Sequence, residues 1–145
     1  ELCGREVLFA DGRREAIDLI VYATGFRISF PFIDREHLNW RDGRPDLYLN
    51  IFHPTRDNLF VAGMIQPDSG QWGLVDYQAQ LIARFIAGLS KESSRAEKFR
   101  RRKSNERPDL TGGVRYIRSP RHLLEVEHFG YRKTLMTWIR RLGTD

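Results

Sequence analysis

The sequence predicts an α/β fold, and three patterns support this prediction. Residues 18–23 are apolar after the first position, without polar alternation, which is typical of a parallel strand covered on both faces. Residues 7–17 hold two short apolar segments around Asp11-Gly12, a dipeptide that favours a tight hairpin turn. Residues 74–89 place apolar side chains three and four positions apart, as one face of a helix requires. We therefore expect a hairpin that leads into a buried strand, with helices later in the chain.

The stretch after this strand is irregular. Residues 28–54 contain several prolines and aromatic side chains, and this pattern predicts a long loop anchored by aromatics, with a short strand at 47–51. A second buried strand is predicted at Asn58–Ala62, and it ends at Gly63. Both apolar strands thus end at a glycine.

Three helices are predicted in the remainder of the chain. The first follows a glycine-containing loop, opens near Leu74 and has Gly88 where a C-terminal cap would fall. Ser94-Arg-Ala-Glu97 has the form of a capping box, so a second helix should begin there and end before Pro108. The last helix is predicted at about 131–141. Its apolar stripe consists of Tyr131, Leu135, Trp138, Ile139 and Leu142.

Length and composition predict a single core. The chain has 145 residues, of which 41% are hydrophobic and 12% aromatic. The net charge of +5 is concentrated after residue 90, where Lys98–Lys103 form a basic run. The run holds a single aromatic residue, Phe99, and no alternation of aromatic and basic residues, so we interpret it as a solvated helix face and not as a nucleic-acid site. We expect two regions, residues 1–90 with the strands and residues 91–145 as a basic helical extension packed on them.

Two segments together give the chain a family resemblance. Ala23-Thr-Gly25 is followed about thirty-five positions later by Asn58-Leu-Phe-Val-Ala-Gly-Met-Ile-Gln-Pro67, and the pair resembles the C-terminal part of flavin-containing and Baeyer–Villiger monooxygenases. The resemblance covers residues 5–90 well and the tail loosely. It implies a partial FAD/NAD(P)-binding, Rossmann-like domain with a β-hairpin, parallel strands and C-terminal helices.

The resemblance also implies a reaction. Enzymes of this kind use NADPH to reduce FAD, capture O₂ as a peroxyflavin and deliver one oxygen atom to a small-molecule substrate. Neither of the two Gly-x-Gly-x-x-Gly turns that such an enzyme needs occurs in the sequence. We therefore expect the C-terminal portion of a larger enzyme, whose partner is the missing nucleotide-binding portion. Alone, the chain should be inactive, fail to retain FAD and tend to associate with itself through unpaired strand edges.

The resemblance implies cofactor contacts but no catalytic side chain. Gly63 would allow close backbone approach, and Gln66 would hydrogen-bond the flavin ring or ribityl chain; the alternatives are a strand end and a solvated loop residue. A helix that starts beside the flavin would offer unpaired N–H groups to the edge that gains negative charge on reduction. The residues implied in cofactor binding are Thr24, Gly25, Gly63, Met64, Gln66 and Gly73.

Other functions stay open from the sequence alone. A different pyridine-nucleotide flavoprotein oxidoreductase would share the Ala-Thr-Gly strand end, and a non-catalytic module could use the basic helices as an interaction surface. The histidines at positions 37, 53, 122 and 128 lack metal-ligand spacing, and Cys3 is the only cysteine, so no metal site is predicted. No apolar run approaches the ~20 residues of a membrane span, and we expect a cytoplasmic location.

Overall fold

The computed structural model describes residues 1–25, 27–117, 119 and 122–143. The fold is mixed α/β, with small sheets and three α-helices. A 3₁₀ helix at Arg35–Leu38 adds one short turn. The elements are β1 (Leu2–Cys3), β2 (Glu6–Leu8), β3 (Arg14–Ala16), β4 (Trp40–Arg41), β5 (Arg44–Pro45), β6 (Gln66–Pro67), α1 (Trp72–Ser90), α2 (Ser94–Asn105), β7 (Glu125–Val126) and α3 (His128–Gly143).

The predicted hairpin is confirmed. Strands β2 and β3 pair antiparallel, and β1 adds a third strand on the other side of β2. In the turn, Gly12 has φ of +87°, a backbone conformation that glycine adopts without steric cost. The Asp11 carboxylate accepts a hydrogen bond of 3.1 Å from the backbone N–H of Arg13 and so stabilises the turn.

The predicted strand at Asp18–Ala23 is wrong for this structure. Residues 18–23 have no strand assignment, and the side chains of Leu19, Val21 and Tyr22 are 77%, 76% and 75% exposed. A strand needs at least one hydrogen-bonded neighbour, and a strand that is apolar on both faces also needs other elements to cover them. No other described segment pairs with residues 18–23, so the apolar run has nothing to cover it.

The other two predicted strands, at residues 47–51 and 58–62, also do not form in this structure. Residues 47–51 form a turn instead of a strand, with Leu49 and Asn50 both at φ of +56°. Around Asn58–Ala62, Phe60 makes one isolated antiparallel bridge to Phe52. The parallel pairing among the described residues joins β6 to β7, where Gln66 faces Glu125.

The three predicted helices are confirmed, with corrections at their ends. Gly88 lies inside α1 and is not its cap; a Cβ there would come within 2.9 Å of the Ala96 Cβ, so glycine permits α2 to pack closely. The N-cap of α2 is Ser93, one residue before the predicted box, and its hydroxyl accepts a hydrogen bond from the Arg95 N–H. Helix α2 ends at Asn105, before Pro108 as expected.

An aromatic cluster forms the centre of the core. Phe52, in the turn, packs edge-on against Phe85 of α1 and Phe99 of α2, with ring centroids 5.4 and 4.9 Å apart. Trp138 of α3 packs against Phe99 at 4.9 Å. The turn and all three helices therefore share one core, and this core supports the loop before α1. None of the described helices is long and apolar enough to span a bilayer.

The basic run 98–103 is not solvated along its whole length. Lys103 is fully buried, and its Nζ donates hydrogen bonds to the carbonyl oxygens of His53 and Pro54 at 2.8 and 3.0 Å. An ion pair of 3.0 Å to Asp57 balances its charge. The expectation of a solvated face is therefore wrong at this position, because Lys103 holds the loop at residues 53–57 onto α2.

Candidate functional site

The loop between residues 63 and 71 begins at a glycine whose backbone is held at both ends. Gly63 has φ of +82°, which favours glycine over any residue with a side chain. Its N–H donates a 2.8 Å hydrogen bond to Gln78 Oε1, and its carbonyl accepts one of 2.7 Å from Gln71 Nε2. Both partners are side chains at or within α1, so the loop start is tied to this helix.

Gln78 belongs to a buried polar chain that connects distant segments. Its Nε2 donates to the Tyr131 hydroxyl at 2.8 Å, and this hydroxyl donates to the Leu49 carbonyl at 2.6 Å. Gln78 is fully buried and Tyr131 is 1% exposed. Burial raises the pKa of Tyr131, so the hydroxyl keeps its proton at neutral pH. We call Gln78 and Tyr131 the relay.

Two residues after Gly63, Met64 and Ile65, have backbone N–H groups that bond to no other residue described by the structure. Met64 and Ile65 are 7% and 5% exposed, yet neither N–H donates to another described residue. The backbone of Gln66 donates to the Leu124 carbonyl at 2.8 Å, whereas its exposed side-chain amide bonds to no described residue. Buried amides are rarely left without a partner, so Met64 and Ile65 are suited to meet a ligand or another polypeptide.

The start of α1 is open in the same way. The N–H groups of Trp72 and Gly73 make no hydrogen bond to the described part of the chain, and Gln71 provides no side-chain cap. The first turn also contains no acidic residue. Unpaired N–H groups and the helix dipole give this end a partial positive charge. Gly73 is exposed, and a Cβ there would meet no atom within 4 Å.

A cavity of about 670 Å³ borders this helix start. Its wall includes Gly25, Gln66 and Gln71, the residue directly before α1. The structure thus brings two of the predicted cofactor residues, Gly25 and Gln66, to one cavity. Its volume lies within the range of about 300–1,000 Å³ that is usual for small-molecule sites.

The other predicted residues surround this cavity without lining it. Thr24 is exposed beside Gly25, which has φ of +79°. Met64 is buried, Gly63 begins the loop at residues 63–71, and Gly73 lies in the first turn of α1. Their cofactor roles therefore remain predictions.

A larger cavity of about 1140 Å³ contains none of the six predicted residues. Arg107 pairs there with Asp46 at 3.0 Å, and the His122 ring, which borders both cavities, lies 3.5 Å from Glu125. The positions of the predicted residues therefore point to the smaller cavity.

One group of side chains could offer metal ligands. Asp34, Glu36 and His37 bring ligand atoms within 4.8 Å of one another, which the histidine spacing alone did not indicate. The two carboxylates are exposed, and the Arg56 guanidinium contacts His37 Nδ1 at 3.3 Å. A cation bound there would have to share this place with a positive charge, which disfavours binding.

Comparison with known proteins identifies the family of this chain. Residues 1–139 match the family described as flavin-binding monooxygenase-like. The chain is 32% identical over 130 residues to flavin-containing monooxygenase 1 of Sus scrofa, an alignment that covers 86% of this chain and 23% of the relative. For flavin-containing monooxygenase 1 of Homo sapiens, the identity is 31% over 132 residues, covering 88% of this chain and 24% of the relative.

A third relative extends the comparison. The chain is 35% identical over 92 residues to dimethylaniline monooxygenase [N-oxide-forming] 2 of Rattus norvegicus, covering 61% of this chain and 17% of that protein. No solved structure gives a significant match. The chain belongs to the flavin-binding monooxygenase-like family. It spans about a quarter of the length of the two flavin-containing monooxygenases.

Proposed function

We propose that this chain forms one wall of the flavin site in an FAD- and NADPH-dependent monooxygenase. The cofactor would lie in the cavity beside Gly25 and Gln66, with its polar edge toward the start of α1. The observation that supports this most is the open helix start: Trp72 and Gly73 have N–H groups without described partners, next to a cavity of suitable size.

The residues around the cavity suit a flavin chemically. The pyrimidine edge of the ring offers carbonyl and nitrogen acceptors and gains negative charge on reduction, so it would be stabilised by N–H donors at the positive end of a helix. The free amide of Gln66 can donate to the same ring or to the ribityl chain. When bound, FAD would accept a hydride from NADPH and activate O₂ for transfer of one oxygen atom to the substrate.

The described residues have a supporting part in this reaction. The polar side chains that line the cavity include Ser69, which contacts His128 Nδ1 at 2.9 Å, and His122, which lies 3.5 Å from Glu125; we assign them no catalytic step, and their proposed task is to hold the ring and exclude water. The sequence contains neither glycine-rich phosphate turn. We assign phosphate and NADPH binding to polypeptide outside this sequence, and we expect the 145-residue chain by itself to be inactive.

A substitution of Gln66 tests this proposal. In the full-length protein, Gln66→Ala should weaken FAD binding about 5-fold, because one hydrogen bond to the cofactor contributes about 1 kcal/mol. The matched control is Gln80→Ala on the exposed face of α1, where the amide only bonds Asp76 one turn away. Gln71 would be a poor control, because its side chain holds the Gly63 carbonyl.

Flavin affinity is measured by fluorescence or calorimetric titration of apoprotein. Weaker binding in the Gln66 variant with wild-type binding in the Gln80 variant supports the proposal. Equal affinities in all three proteins would show that Gln66 is a solvated loop residue. A full-length protein that binds no flavin would refute the proposed function.

A further inference from the structure

We propose that the relay, Gln78 and Tyr131, consists of positioning residues of the flavin site. They would set the orientation of the Gly63 peptide and thereby aim the following backbone amides at the cofactor. This inference rests on the proposed function, and it assigns a task to two residues that do not line the cavity.

Every hydrogen bond in the relay has a defined direction. The Gly63 N–H donates to the Gln78 carbonyl oxygen, the Gln78 NH₂ donates to the Tyr131 hydroxyl, and this hydroxyl donates to the Leu49 carbonyl. The three distances are 2.8, 2.8 and 2.6 Å. Because the Tyr131 proton goes to Leu49, the hydroxyl oxygen remains an acceptor for Gln78, and the amide of Gln78 must then turn its oxygen toward Gly63.

The far end of the relay is fixed by an unusual turn. Leu49 has φ of +56°, a left-handed conformation that costs a non-glycine residue about 1–2 kcal/mol. Leu49 and the neighbouring Ile51 and Phe52 are all buried in the core. The turn thus holds its carbonyl toward the interior, where it accepts the Tyr131 hydroxyl proton, and the relay is anchored in the hydrophobic core.

The other end of the relay holds the Gly63 peptide. Glycine can rotate its backbone at little steric cost, so Gly63 by itself does not determine how the loop proceeds. Gln78 and Gln71 hold the two sides of this residue through hydrogen bonds. The next N–H groups, of Met64 and Ile65, have no described partner although both residues are buried. Of these two residues, Ile65 lines the cavity, so a small rotation at Gly63 would reorient backbone in the cavity wall.

The variants Tyr131→Phe and Gln78→Met test this inference in the full-length protein. Tyr131→Phe keeps the packed ring and removes only the hydroxyl, whereas Gln78→Met keeps the volume and removes both polar ends. Tyr77→Phe is the matched control, because it also removes one tyrosine hydroxyl. Tyr77 lies on α1 next to Gln78, and its hydroxyl contacts Arg132 at the surface. Two properties are measured: amide hydrogen exchange at residues 63–65 in the apoprotein, and the affinity and midpoint potential of bound FAD.

We expect both relay variants to increase exchange at Gly63 at least tenfold, to weaken FAD binding five- to tenfold and to shift the flavin potential. The control should match the wild type in all three measurements. Because two different variants interrupt the same chain of hydrogen bonds, either one that folds provides the test. Unfolding by urea, monitored in parallel, verifies that the variants are folded under the conditions used.

Three results would overturn the inference. If exchange at residues 63–65 is unchanged, the relay does not hold the loop. If exchange increases but FAD affinity and potential stay at wild-type values, the relay is only structural, and the proposed function stands. If the wild-type protein itself binds no flavin, the proposed function fails and this inference fails with it.

Discussion

Lys103 shows how a single buried charge can organise this fold. Its ammonium donates to the carbonyls of His53, Pro54 and Arg56, at 2.8, 3.0 and 3.3 Å, and pairs with Asp57. The side chain is fully buried, and without its charge the His53 and Arg56 carbonyls would lose this donor, whereas Asp57 would keep its ion pair of 2.6 Å with Arg100. Burial of a lysine is costly unless its donors are satisfied, and here they are.

We predict that Lys103→Met lowers the free energy of unfolding by about 3 kcal/mol, because buried carbonyls would lose their donor. Lys98→Met, on the exposed face of the same helix, should change it by less than about 0.5 kcal/mol. Urea denaturation followed by circular dichroism measures both. Similar midpoints for the two variants would mean that the loop at residues 53–57 does not depend on Lys103.

The helices could be predicted from sequence because their signal is local. Residues 74, 78, 81 and 85 form one buried stripe on α1, and residues 96, 99 and 103 form another on α2. The same stripes contain the signal for the two buried polar residues, Gln78 and Lys103, since both occupy positions that face the core. Their partners could not be predicted, because Gln78 meets Tyr131 across 53 positions and Lys103 meets His53 across 50.

The structure of residues 18–23 could not be predicted from the sequence, because strand formation depends on distant segments and not on a local signal. Their composition is that of a buried strand, but strand formation requires hydrogen-bonding neighbours, and the described residues supply none. The hairpin of β2 and β3 succeeds because its two strands are adjacent in sequence and joined by a glycine turn. Local pairing could be inferred; pairing with distant or absent segments could not.

The start of α1 allows an electrostatic prediction. Gly73→Asp adds a carboxylate beside the open N–H groups, where a Cβ meets no neighbour within 4 Å. If reduced flavin is stabilised by this helix end, the midpoint potential of the full-length protein should become about 6–21 mV more negative, from a dipole effect of about 0.3–1 kcal/mol on a two-electron couple.

Arg101→Gln is the matched control, because it also lowers the charge by one but lies on α2, paired with Glu97. Spectroelectrochemical titration measures the potential of both variants. An unshifted potential in Gly73→Asp at normal flavin content would place the cofactor away from this helix.

At the scale of the whole molecule, the chain divides into a packed helical part and an exposed beginning. The residues of the core cluster lie between positions 48 and 139, whereas the apolar side chains at positions 19–22 are exposed. We interpret residues 18–23 as a strand that would form against other polypeptide of the full-length protein. Association of the isolated chain with itself through these residues stays a prediction.

The candidate site was partly predictable at this scale. The glycine strand end and the Ile-Gln-Pro segment, some forty positions apart, do meet at one cavity through Gly25 and Gln66. Thr24 and Met64 do not line it. The relay behind the loop had no counterpart in the motif, since it depends on tertiary contacts of α3.

The central claim is that the loop from Gly63 and the start of α1 contact a flavin. Hydrogen exchange of the full-length protein, measured with and without FAD and resolved to single peptides, tests it most directly. We predict that amides at residues 63–66 and 72–75 exchange at least tenfold more slowly when FAD is bound, while those of α2 do not change. Unchanged exchange at residues 63–75 in a protein fully loaded with FAD would contradict the account.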